Sequence, residues 1–179
     1  VNPQLLSTMG RLARELPEEN LRSIALAGYV RLATDEACAV LPVASKIDGF
    51  EQILSGRLSK DQTRMVLAGL GQVPDVRGVK LVEPMLKNEA VRAEAGRALL
   101  KMAPGIADVE VAMGALKQLI ATPGIDAETK KSAQAALDTL EARADYLAAW
   151  QVSGPYRKPN TDFAGLFDTV FPPETGTAD

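Results

Sequence analysis

Three glutamates lie close together in the stretch VEPMLKNEAVRAE, residues 82–94: Glu83, Glu89 and Glu94. Neighbouring carboxylates can divide general-acid and general-base work when their surroundings push their pKa values apart. Here Lys80, Lys87, Arg92 and Arg97 interleave with them. Alternating charge of this kind marks a solvated helical surface held by weak i,i+4 pairs. Histidine is absent and Cys38 is the only cysteine, which excludes His-dependent triads, internal disulfides and Cys-rich metal sites. Cys38 sits in the apolar context EACAVLPVA and reads as a small core residue, not a nucleophile. The glycine-bearing GLGQVPDVRG, residues 69–78, has neither the preceding strand nor the spacing of a phosphate-binding loop. No catalytic residue, metal site or cofactor is therefore expected.

The same inventory bears on partners. A net charge of −3 gives no bulk attraction to nucleic acid or to anionic membranes, and the cationic run YRK, residues 156–158, is too short to be a basic patch. A helical-repeat DNA glycosylase would need a cationic groove and aromatics to hold a displaced base, yet aromatics make up only 4% of the chain. No apolar run reaches transmembrane length. Neither nucleic-acid binding nor membrane insertion is expected.

The elements that carry these residues follow from periodicity. Hydrophobic content is 46% over 179 residues, enough for a real core built from Ala, Leu, Val, Ile and Met, which suits close helix packing. In VRAEAGRALLKMA, residues 91–103, offsets of three, six, seven and ten from Arg92 give Ala95, Ala98, Leu99 and Met102, one stripe of a helix. The same offsets from Arg22 give Ala25, Gly28, Tyr29 and Leu32. From Thr63 they give Val66, Gly69, Leu70 and Val73, and from Lys130 they give Ala133, Ala136, Leu137 and Leu140. The four anchors stand 41, 29 and 38 residues apart, with room for a second helix in each gap. Helices are predicted over 3–16, 18–33, 35–45, 48–57, 59–72, 76–87, 88–103, 108–121 and 126–149. Pro17, Gly56, Pro74-Asp75, Pro104-Gly105 and Pro123-Gly124 separate them. Asp126 is placed to cap the last helix. Pro42 and Gly49 leave 35–57 open between one kinked helix and two short ones.

Paired helices repeating at this period are the signature of HEAT and armadillo arrays. AGYVRLA, the run VLAGLGQVPDVRGVKLVEPMLKNEAVRAEAGRALLKMA and the four anchored helices resemble bacterial HEAT repeats over most of residues 18–145. The expected fold is all-α: a right-handed α–α superhelix, a HEAT-like solenoid of about four helix pairs over 1–149, with an irregular tail over 150–179. An ordinary bundle of eight or nine helices is the plainer alternative. The resemblance implies that the second helices line a concave face. Offsets two, five and nine place Ile24, Ala27 and Arg31; Met65, Ala68 and Gln72; Glu94, Arg97 and Lys101; and Ser132, Ala135 and Thr139 away from the core stripe. Arg31, Met65, Gln72, Glu94, Arg97 and Lys101 are the candidate protein-binding residues. A protein, or an adjacent domain of the same chain, is the expected partner.

After Trp150 the helical pattern stops. VSGPY and LFDTVFPPE resemble the opening of a β-sandwich module found after HEAT repeats in large exported bacterial proteins, some of which carry a domain similar to 3-keto-disaccharide hydrolases. That resemblance implies a periplasmic or extracellular setting and a tail that is a junction to a β-rich domain. A start at Val1-Asn2-Pro3 fits a segment of a longer precursor. Trp150, Tyr156, Phe163, Leu166 and Phe171 are expected to cap the exposed end of the array. The expected role is a non-catalytic scaffold, interaction or spacer domain. The rival is a freestanding enzyme of HEAT-like lyase type, with a carboxylate-based site in the concave groove.

Overall fold

Pro17, Gly56, Pro74, Pro104 and Pro123 each fall between α-helices in the computed structural model, which describes residues 3–35 and 40–144. Among the described residues eight α-helices run in order: α1 (Pro3–Glu15), α2 (Glu19–Thr34), α3 (Val43–Leu54), α4 (Lys60–Leu70), α5 (Val76–Val82), α6 (Arg92–Met102), α7 (Val109–Ala121) and α8 (Ala127–Ala144). Among the described residues there is no strand. Cys38 and the tail from Trp150 onward, with its proposed capping side chains Tyr156, Phe163, Leu166 and Phe171, lie outside the described residues.

Side-chain oxygens cap the starts of four helices, α4, α5, α7 and α8. Ser59 and Gln62 form a capping box at the head of α4, satisfying two orphan backbone donors reciprocally. Asp75 accepts from the Arg77 N–H at α5 and Asp108 from the Val111 N–H at α7. Asp126 accepts from both the N–H and the hydroxyl of Thr129 at 2.8 Å, as the sequence anticipates.

Three expected boundaries are corrected. Over 35–57, left open in the sequence between one kinked helix and two short ones, the described residues hold one helix, α3, from Val43 to Leu54 through Gly49, and residues 40–42 are non-helical. Pro42 disfavours helical backbone at Leu41, so α3 can begin only after it. The predicted 76–87 helix is α-helical only to Val82 and continues as a 3₁₀ segment, Glu83–Lys87. Pro84 explains the change, because an interior proline lacks a donor and crowds the carbonyl four residues back. A turn then delays α6 to Arg92, four residues after the predicted start at 88.

The stripes predicted from the four anchors are the core. Val66, Gly69, Leu70, Val73, Ala95, Ala98, Leu99, Met102, Ala133, Leu137 and Leu140 are buried, as are Ala25 and Tyr29, while Gly28, Leu32 and Ala136 are half-buried. Helices pack in consecutive pairs, α1 on α2, α3 on α4, α5 on α6 and α7 on α8. They also touch along two rows, α1–α3–α5–α7 and α2–α4–α6–α8. The two anchor arginines have a second use. The Arg22 Nη1 donates to the carbonyls of Leu16 at 2.8 Å and Pro17 at 2.9 Å, and the Arg92 Nε donates to the Leu86 carbonyl at 2.9 Å. Each ties the start of a second helix to the end of the helix before it.

Candidate functional site

The second helices carry the outward strip, and its middle is where side chains converge. Gln72, in the turn after α4, and Glu94, Arg97 and Lys101 on α6 share a trough of about 250 Å³ with Arg64, Ala68, Gly71 and Ala98. Its floor is shallow because the two helices meet by backbone. A Cβ on Gly71 would stand 3.0 Å from the Ala98 Cα and 3.3 Å from its carbonyl oxygen. The small floor leaves the long charged side chains as walls.

Of the six candidate residues, four are therefore brought together. Arg31 is exposed on α2 and Met65 is half-buried against the core; neither lines the trough. Arg64 does line it and was not foreseen, since it stands one position from the Thr63 anchor and so falls off the chosen offsets. Its signal was available in the charge pattern, as a cation facing an acid one repeat later.

Glu94 organises the walls. Its Oε1 lies 3.0 Å from the Arg64 Nε and 3.8 Å from the Arg97 Nη2, and its side chain is 22% exposed. The Arg64 Nε is buried and its N–H is not aligned on an acceptor, so that contact is ionic without being a directed hydrogen bond. Arg64 also pairs with the exposed Asp61 at 3.3 Å. Arg97 donates from Nε to the Ala93 carbonyl. Lys101 has no ion-pair partner among the described residues. The trough lining thus carries three cations against one carboxylate, on a chain whose net charge is negative.

The other glutamates of the 82–94 stretch go elsewhere. Glu89 is exposed and pairs with Arg92 at 3.7 Å, while Glu83 begins the 3₁₀ segment after α5. No group of three potential metal-ligating side chains occurs among the described residues, and no described helix is long and apolar enough to cross a membrane.

A larger cavity, about 400 Å³, lies between α1 and α3 over Tyr29 and is rimmed by Ser7, Ser45, Asp48 and Gln52. Its chemistry is already committed. The Tyr29 hydroxyl donates to the Lys46 carbonyl, and burial, helped by the nearby Asp48 charge, pushes its pKa well above the ordinary phenol range. It stays protonated and cannot serve as a base. Asp48 is held by Arg77 across from α3 to α5, with Glu51 as a second partner of the same guanidinium. No protein-family model matches the chain, and no curated protein matches it significantly.

Proposed function

We propose that the chain is a non-catalytic helical-repeat scaffold, a HEAT-like right-handed α–α superhelix of about four helix pairs that acts as a protein-interaction or spacer domain. The observation that carries this reading is the register of the second helices. Four stripes at one set of offsets are buried, and the strip beside them stays uncovered along α2, α4, α6 and α8. Packing in which each pair touches its sequence neighbours is how repeat arrays extend without a central core, and it leaves a continuous outer strip for a partner. That partner is another protein or an adjacent domain of the same chain. The resemblance of VSGPY and LFDTVFPPE supports a setting in a larger exported bacterial protein, periplasmic or extracellular and linked to carbohydrate processing. A carboxylate-based enzyme would need a second acid in the trough, and Glu94 has only arginines beside it.

Hydrogen exchange on the 179-residue chain, alone and mixed with the separately produced remainder of its parent protein, tests the role. Slowed exchange in α4 and α6 on mixing is the expected result. Exchange unchanged throughout would remove the interaction role.

A further inference from the structure

The strip on the second helices changes character along its length. On α2 it shows Ile24, 68% exposed, with the small exposed Ala27 and, one turn on, the exposed Arg31. On α4, which packs on α2, the equivalent of Ile24 is the half-buried Met65. One helix further the trough presents Arg64, Arg97 and Lys101 around Glu94. Building on the scaffold reading, we propose that this strip binds an extended, acidic segment of a protein partner, with an apolar side chain at Ile24 and Met65 and a carboxylate pair at Arg97 and Lys101.

The size of the trough favours side chains over a whole small molecule. At about 250 Å³ it is below the roughly 300–1,000 Å³ of ordinary ligand pockets. Charge selects the occupant. Glu94 engages Arg64 most closely and Arg97 only at 3.8 Å, which leaves the Arg97 terminal nitrogens free to form a forked pair with an incoming carboxylate. Lys101 supplies a second cation without a competing acid. Length fixes the spacing. Packed helices sit about 8–10 Å apart, so α2 to α6 spans two such steps, which an extended chain rising about 3.3 Å per residue covers in roughly five or six residues. Nucleic acid is the poorer fit, because the described strip has no aromatic platform on which a base could stack.

Fluorescence anisotropy of the full chain would use a labelled peptide bearing leucine and, six positions later, two glutamates. Saturable binding is expected, weakened by at least about tenfold in an Arg97→Glu/Lys101→Glu variant and several-fold by Ile24→Ser. Circular dichroism of both variants would be expected to match that of the parent chain, so that weakened binding reads the lost side chains. The inference is overturned if a glutamine-for-glutamate peptide binds equally well or if the charge-reversed variant binds unchanged. It is also overturned if no saturation occurs, or if a single-stranded oligonucleotide of equal charge binds tighter. Peptide failure with α4 and α6 still protected by the parent remainder sinks acidic recognition alone; loss of both sinks the scaffold role as well.

Discussion

Between α1 and α4 the interior closes around two rings, while the described chain from α5 to α8 holds no aromatic residue. Tyr29 and Phe50 meet edge to face with centroids 5.0 Å apart, and glycines make room for them. A Cβ on Gly69 would come within 2.8 Å of the Phe50 Cζ, and one on Gly49 would overlap the Tyr29 hydroxyl. From α5 onward the interior is Ala, Val, Leu, Ile and Met, filled by the repeating stripe. Rings demand individually fitted neighbours, whereas small aliphatic residues at one spacing can pack alike from helix to helix. Both regions carry the periodic stripe, and the first adds particular contacts around its two rings.

The largest effect belongs to the periodic half. Leu99, 1% exposed, lies at the large position of the α6 stripe, and Leu99→Ala is expected to cost about 2–5 kcal/mol in urea melts. A much smaller loss would mean that the α6 stripe does not fill the interface. In the fitted half, Gly49→Ala gains about 1 kcal/mol of helix propensity but drives a methyl group into the Tyr29 phenol, for a net loss of about 1–3 kcal/mol. Tyr29→Phe alone forfeits the buried bond to the Lys46 carbonyl, about 1–2 kcal/mol. The double substitution should lose less than the sum, because the hydroxyl is the nearest obstacle. Strict additivity would break the claim that the two sites are fitted to each other.

Smaller effects come from the surface of the periodic half. Glu94→Ala is expected to cost about 0.5–1 kcal/mol, since it releases two arginines at a partly screened site. The smallest concerns Asp126. Its carboxyl is held below the ordinary range, chiefly by the Thr129 N–H and then by the Thr129 hydroxyl. A depressed folded-state pKa stabilises above the unfolded value of about 3.9, and that contribution is lost as pH falls through the folded value. Asp126→Asn keeps a capping oxygen but cannot titrate. Thermal melts should show matched stability at neutral pH and a shallower acid decline for the variant. Parallel acid declines would place the titration elsewhere.

What could be read in advance cuts across that division. The stripes at Arg22, Thr63, Arg92 and Lys130 were legible because a helix turns its small and large residues inward at a fixed period, whatever surrounds it. The extent of α3 was not, because Gly49 looks like a helix breaker until the ring beneath it is known. Likewise the 3₁₀ segment after α5 depends on where Pro84 falls relative to the packed turn. In the trough, Gln72, Glu94, Arg97 and Lys101 came from one helix's geometry applied to each repeat. Arg64 escaped because its place there depends on how α4 lies against α6, and the Gly71–Ala98 backbone contact that sets this is invisible to periodicity.

The arginine ties described for Arg22 and Arg92 also distinguish the helix pairs from one another. In the first and third helix pairs a guanidinium clamps the two helices at their shared turn. At the same register in the second pair stands Thr63, whose hydroxyl is spent within its own helix on the Ser59 carbonyl, and in the fourth stands Lys130, which makes no such tie among the described residues. The turn therefore carries an arginine latch in the first and third pairs, and in the second and fourth the residue at that register is released from this duty.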